Sequence, residues 1–416
     1  MGGSPRVVVS PGQVTPDLGW PGELASLTDA TPYLGPAWLA ATEKVMPELR
    51  PWHTIATRAR GELAIAAGYI LDSPAAADHD PRTYLGWQAL SGADACCGVP
   101  AGQAASAAAG DLDPESFYPA LLLGSPLGYR TEVAYNFWTP ALMRAMVSAL
   151  VPAAFQVGVR CILAPWIPDS RGNQALADAL ADGGHSTFWG YEDFIRLDRG
   201  GWDAHLAALP PDKRRRISGD LRRAAEAGVR IERADGTGIR PHLSRIAELT
   251  CLNRDKNGTA EDPARIVGML AALLDSGADV RAYLGFQDGA LVASCVTIRK
   301  THRLFVKWPG FDYAAVGDRS GIYFALVLDV LVRDACAEGL RTVEFGAGAH
   351  RAKYLCGAQS RTVTTAMVLA DPSLREQAAA RLDSFGRSRH AAFGDVAEAA
   401  PDVPAAVGTG ACCAEG

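Results

Sequence analysis

Apolar and polar positions along this 416-residue chain fall into blocks that recur twice in the same order. The first unit opens with His53-Thr-Ile-Ala-Thr, passes Arg60-Gly61-Glu62 and continues as Ala64-Ile-Ala-Ala-Gly-Tyr-Ile70. The later unit runs Val280-Arg-Ala-Tyr-Leu-Gly-Phe, Gln287-Asp288-Gly289, then Leu291-Val-Ala-Ser-Cys-Val-Thr-Ile298. Each predicts a strand, a glycine turn and a second strand. Strand, glycine-containing loop and helix follow in both. The first half has Pro119–Leu123, Gly124–Gly128 and a helix near Pro140–Ala154. The second has Leu304–Trp308, Pro309–Ser320 and a helix from about Gly321 to Glu338. The second of these helices has an apolar face at Ile322, Ala325, Leu326 and Leu328 and stops at Gly339, a natural C-cap. Gly158-Val-Arg-Cys-Ile-Leu-Ala-Pro165 then parallels Gly339-Leu-Arg-Thr-Val-Glu-Phe-Gly346. Strands at Tyr191–Leu197 and Thr362–Leu369 close the halves. The extra length of the first half is nearly absorbed by an Ala/Gly-rich insertion at about 72–115.

This spacing predicts four parts: an N-terminal domain at 1–197, a basic helical bridge at 198–228, a C-terminal domain at 229–384 and a flexible tail at 385–416. The tail is expected from its Ala, Gly and Pro content.

Composition narrows the function. Hydrophobic residues make up 48%, charged residues 21%, and the net charge is −6, which argues against a broadly basic nucleic-acid coat. Any site for a polyanion is therefore a local patch. The nine cysteines include adjacent pairs but no paired Cys-x-x-Cys spacing, so no structural metal is expected. The odd cysteine number, the lack of an apolar N-terminal leader and the absence of any apolar run of about 18 residues predict a cytoplasmic chain without a membrane span.

The second half carries the distinctive residues. Leu209-Pro-Pro-Asp-Lys-Arg-Arg-Arg-Ile-Ser-Gly-Asp-Leu-Arg-Arg-Ala is a basic helix. The Gln-Asp-Gly turn, Ser320-Gly-Ile-Tyr-Phe, Ala-Glu-Gly-Leu340 and Glu344-Phe-Gly-Ala-Gly…Lys353-Tyr-Leu-Cys-Gly357 follow. This series, over about 200–370, resembles the FemABX-related branch of the GNAT superfamily; the first half matches it by layout, with Leu123-Gly-Ser-Pro-Leu-Gly-Tyr129 a suggestive loop. The resemblance implies an α/β fold of tandem GNAT-like domains, each a mixed central sheet flanked by helices. It further implies an acyltransferase that moves an aminoacyl group from aminoacyl-tRNA to an amine. The strands ending at Trp308 and spanning Arg341–Phe345 are then neighbours that part, and the site lies at their C-terminal ends.

Such a site must hold donor and amine together, keep the amine neutral and stabilise an oxyanion. Lys353 is expected to place an ammonium at the reacting carbonyl. Glu344, a carboxylate within an apolar strand, is expected to receive the acceptor's proton. Lys307, Asp312, Tyr313, Tyr323 and His350 are expected to line the crevice. Lys213, Arg214, Arg215, Arg216, Arg222 and Arg223 form a candidate RNA track, with Asp212 as helix N-cap. Cations in the first turn oppose the helix dipole, which favours an anionic partner. Arg233-Ala-Asp-Gly-Thr-Gly238 matches the R-x-x-G-x-G phosphate cradle literally, but it falls before the first helix of its half rather than after the central strand, so it is expected to be a turn.

The leading expectation is an aminoacyl-tRNA-dependent transferase acting on a small metabolite or wall precursor, with no bound cofactor. The alternatives are an acyl-CoA-dependent N-acyltransferase of the same fold and a non-catalytic degenerate GNAT binding module.

Overall fold

The computed structural model describes residues 6–11, 31–57, 62–73, 77–86, 113–137, 139–197, 200–256, 261–317 and 320–398. The turn at Arg60-Gly61, most of the 72–115 insertion, Arg319 and the chain beyond Glu398 lie outside these residues.

The first half supplies β1 (Arg6–Pro11), β2 (Arg50–Thr57), β3 (Leu63–Ala66), β4 (Gly68–Leu71), β5 (Ala120–Leu123), β6 (Val133–Tyr135), β7 (Cys161–Pro168) and β8 (His185–Arg196). The second supplies β9 (Arg230–Asp235), β10 (Val280–Gln287), β11 (Ala290–Lys300), β12 (Arg303–Phe311), β13 (Thr342–Gly346) and β14 (Gln359–Leu369). The strands form one mixed sheet in the order β6-β3-β2-β4-β5-β7-β14-β8-β13-β12-β11-β10-β9, with β1 paired to β2. Each half contains one parallel pair, β5 with β7 and β12 with β13, and each pair is held over three residues before it parts.

The closing strands are exchanged. β8, from the first half, lies against β13 and β14; β14, from the second, lies between β7 and β8. The expected boundary at 197 therefore does not separate two sheets. Both β7 and β13 would have an open edge without a strand from the other half, and pairing across the junction satisfies those backbone groups.

Local chemistry accounts for the elements near the site. The β10–β11 turn places Asp288 and Gly289 at positive φ (50° and 81°), the conformation a two-residue hairpin loop needs. The basic helix spans Pro211–Glu226, starting two positions earlier than expected. Its N-cap is Pro210 and Pro211 begins the helix, where a missing N–H costs nothing, so Asp212 lies inside the first turn and caps nothing. The helix after β12 is π-helical over Phe324–Val330 before becoming α-helical at Leu331–Ala337. Buried Asp329 stands in the π segment. Burial, then the Asp220 carboxylate of the basic helix, pushes its carboxyl up to about 8 against the pull of Arg216. Asp329 is therefore mostly protonated at neutral pH.

The tail departs from expectation. The helix Arg375–Glu398 continues through the region assigned to a loose end from 385. Phe385, Arg389 and Phe393 recur every four residues and face inward. Phe393 is buried against Phe188 and Tyr191, and buried Arg389 donates to the Trp189 carbonyl at 2.7 Å. A composition-based reading passes over this short stripe.

Candidate active site

β12 and β13 pair through Arg303↔Thr342, Leu304↔Val343 and Phe305↔Glu344 and then diverge. A pocket of about 590 Å³ opens where they part. Its walls come from both halves. The second half provides β12, the turn and helix start Ser320–Phe324, the loop Gly346–Ala349, and Asn253, Arg254 and Lys256 of the helix Leu243–Lys256. The first half provides Tyr33, Gly128–Arg130, Trp166, Trp189 and Glu192. The helix Leu243–Lys256 approaches closely because residue 310 is glycine: a Cβ there would lie 2.5 Å from the Thr250 nitrogen.

Along β12, alternation turns Phe305 and Lys307 to the pocket face. A register shift against β11 and a positive φ at Trp308 (49°) mark a bulge, and the extra residue turns Trp308 to the same face. Lys307 is only 9% exposed. Its Nζ lies 4.7 Å from the Tyr129 ring centroid, 5.6 Å from Tyr33, 5.7 Å from Trp308 and 5.8 Å from Trp38. Burial and then the neighbouring Arg254 guanidinium push the Lys307 ammonium down to about 7, with Glu261 opposing.

The floor is a chain of ion pairs across adjacent strands. Arg303 of β12 donates to Glu344 of β13 at 2.7 Å. Arg361 of β14 bridges Glu344 and Glu192, the latter on β8. Arg130 continues the chain, 3.1 Å from Glu192 and 3.4 Å from Glu132. The strand exchange brings Glu192 and Arg361 here. Burial raises the Glu344 carboxyl, but Arg361, Arg303 and Arg130 outweigh it and hold it below the ordinary carboxylate value. Glu344 is thus committed to arginines, and the expectation that it accepts the acceptor's proton is corrected.

Lys353, on the helix His350–Leu355, lines the pocket with its ammonium engaged. Nζ donates to the Gly346 carbonyl (2.7 Å) and the Ala347 carbonyl (3.1 Å) and lies 3.2 Å from Asp193 Oδ2. These contacts brace the loop after β13. His350 is also buried, with Nδ1 2.7 Å from Asp193 and Nε2 accepting from the Gly348 N–H at 3.4 Å. Burial raises the Asp193 carboxyl, yet His350, Lys353 and the hydrogen bonds from His350 and Ser360 hold it at about 2. His350 lies behind the loop rather than on the pocket wall. Asp312 does not line the pocket: it caps the helix Tyr313–Val316 and pairs with Arg245 at 2.9 Å. Tyr313 and Tyr323 do line it, and Lys256 Nζ lies 3.5 Å above the Tyr313 ring.

The basic helix borders this pocket. Gly321 packs against the Asp220 carbonyl and Arg223, and Arg216 lies over Phe324 at 4.4 Å. Lys213 lies over Tyr354 at 3.9 Å, and Arg214 donates to the Leu209 carbonyl at 2.7 Å. Arg223 pairs with Asp220, and Arg222 with Glu226 at 3.5 Å. Of the six cations, Arg215, Arg222 and Arg223 are exposed; the other three are drawn into packing. Arg233 of the literal cradle match lies on β9, bonds to Asp235, Asp334 and Glu338 and does not line the pocket, and its glycines stand in the 3-10 helix Gly236–His242 rather than in a turn.

Residues 211–354 match the acetyltransferase (GNAT) domain family. The crystal structure of FemX superposes with a TM-score of 0.53 at 12% identity, covering 85% of this chain and 96% of that one. A conserved protein of unknown function from Bacteroides thetaiotaomicron VPI-5482 gives 0.49 at 13%, covering 88% and 100%. A tandem GNAT protein from the clavulanic acid biosynthesis pathway gives 0.45 at 12%, covering 88% and 99%. Comparison with curated protein sequences finds no match. Residues 211–354 thus correspond to a GNAT domain, and the chain as a whole shares its fold with FemX. No helix among the described residues is long and apolar enough to cross a membrane.

The pocket residues that sequence reading missed include Tyr33, Tyr129, Arg130, Trp189, Glu192 and Arg254. The glycine loop before Tyr129 was the one signal available for them.

Proposed function

We propose that this chain is an acyltransferase that moves an aminoacyl group from aminoacyl-tRNA to the amine of a small metabolite or wall precursor in the cytoplasm. The observation that supports this most is the pocket at the parting of β12 and β13, bordered on the Ser320–Phe324 side by a helix with three exposed arginines. An activated ester entering beneath that lip would extend its phosphates along Arg215, Arg222 and Arg223. Its carbonyl would lie in the pocket near the braced loop, within the positive potential of Lys353 and of the helix start at Ile322, which stabilises charge on the tetrahedral oxygen. The pocket would hold ester and amine at contact distance, which supplies much of the rate enhancement.

Acyl-CoA is the second reading. The turn through Ser320 and Gly321 (φ 69°) presents a helix start to the pocket, a place where a pyrophosphate can bind.

Purified protein is incubated with radiolabelled total aminoacyl-tRNA and, separately, labelled acetyl-CoA, each with a panel of primary amines. Label is expected to move to an amine from tRNA only, and ribonuclease treatment is expected to abolish the transfer. Arg215→Glu with Arg222→Glu is expected to weaken tRNA binding and flatten its salt dependence. Ribonuclease-resistant transfer from acetyl-CoA would replace the first reading with the second.

A further inference from the structure

We propose that Lys307 is the general base of the transfer, its uncharged Nζ taking the proton from the acceptor's ammonium inside the pocket. The assignment rests on the acyltransferase reading and names the residue that performs its proton transfer.

The geometry carries it. Lys307 lines the pocket at the bulge of β12, where the parallel strands part. Four rings surround Nζ, and among the described residues none gives it a hydrogen bond or a carboxylate partner. A buried lysine without a counter-ion sheds its proton more readily than one in water. The lowered proton affinity described above agrees with that surrounding. The same rings face a cation favourably once the proton arrives, so both protonation states are accommodated.

The charged and titratable groups around it come from several elements. Arg254 and Glu261 lie on the side of the helix Leu243–Lys256, and Tyr33 and Tyr129 belong to the cage. Asp78 lies on the same pocket wall, and Glu344 stands across on β13. Glu344 is held by arginines, and burial raises both phenols, so neither kind of group competes for the proton near neutrality.

The acceptor R–NH3+ gives a proton to Lys307 and becomes R–NH2. Its lone pair forms the C–N bond at the ester carbonyl. The tetrahedral intermediate collapses with cleavage of the C–O bond, and the nitrogen's second proton leaves with the departing oxygen as a hydroxyl. Lys307 then releases its proton to solvent.

Two arms test the proposal. Competitive acetylation of the whole protein with acetic anhydride from pH 5 to 10, read by mass spectrometry at Lys307, needs no substrate. Half-maximal reactivity is expected near pH 7, against about pH 10 for exposed lysines. In the second arm, kcat/KM for transfer from total aminoacyl-tRNA to the panel amines is followed against pH. Wild type should show a limb that rises through about pH 7. Lys307→Met, whose side chain suits the cage, and Lys307→Arg, which keeps the charge, should both lose that limb and about 10²–10⁴-fold in rate. Circular dichroism melts establish that both variants fold.

A labelling midpoint near pH 10, an unchanged limb in either folded variant, or a stable aminoacyl adduct on Lys307 formed from the aminoacyl-tRNA donor would overturn the base assignment while leaving transfer intact. A wild-type protein inert toward both donors would instead overturn the transferase reading and this proposal with it.

Discussion

Arg361→Ala should lower the free energy of unfolding by about 3–5 kcal/mol and reduce transfer to background. Arg361 is the link between Glu192 and Glu344, both nearly excluded from solvent. Removing it leaves Glu344 in direct contact with Arg303 only, with Arg130 acting at longer range, and leaves Glu192 paired with Arg130. Two buried carboxylates then carry charge for which the interior provides too little compensation. The loss is electrostatic rather than a matter of lost packing, and a second substitution separates the two. Arg361→Ala combined with Glu344→Gln removes one of the stranded charges and should recover a large part of the stability. Urea melts of wild type, the single variants and the double variant measure the coupling. If the double variant is no more stable than Arg361→Ala, the ion-pair floor does not hold the site together.

Separating the halves should abolish folding of both. A chain of residues 1–197 retains β7 and β8 but lacks β14, the strand that joins them. A chain of residues 198–416 retains β13 and β14 but lacks β8 between them. Each fragment would expose backbone donors and acceptors on strands that are buried in the whole protein, a condition that favours aggregation. Expressed alone, each fragment is expected to be insoluble or to lack a cooperative melt. Co-expressed, the two are expected to assemble into a soluble complex with transfer activity. Cooperative unfolding of either fragment alone would show that the exchanged strands are dispensable.

The parts legible in the sequence are those fixed by neighbours along the chain. The Asp288-Gly289 turn and the stop at Gly339 follow from backbone conformations that few residues tolerate, and both glycines have positive φ. The adjacency of the strands ending at Trp308 and spanning Arg341–Phe345 came from the resemblance to the GNAT-like layout, and the two strands do pair in parallel. The strand exchange left no local mark: β8 and β14 have the same alternation whichever sheet receives them, because a strand's pattern encodes its faces and not its edges.

Site roles divided along the same line. Lys307, Tyr313 and Tyr323 are on the pocket wall because strand alternation and helix position determine their direction. Glu344 and Lys353 are there too; partners from distant segments take Glu344 out of proton transfer and hold the Lys353 ammonium against the loop after β13. Arg361, Arg303 and Arg130 occupy Glu344, and three backbone carbonyls with Asp193 surround Lys353. The cage of Lys307 draws Tyr33, Trp38 and Tyr129 from the first half, at sequence distances where no periodicity connects them. Asp312 was misassigned because a polar residue just past a strand reads equally as a cap and as a site residue.

The most direct measurement is a crystal structure with a stable aminoacyl-adenosine analogue in which an amide replaces the reactive ester. The account predicts the aminoacyl carbonyl between the parted ends of β12 and β13, within reach of Lys307, with the adenosine emerging beside Ser320–Phe324. An analogue that binds elsewhere, or a pocket that stays closed to it at saturating concentration, would contradict the account.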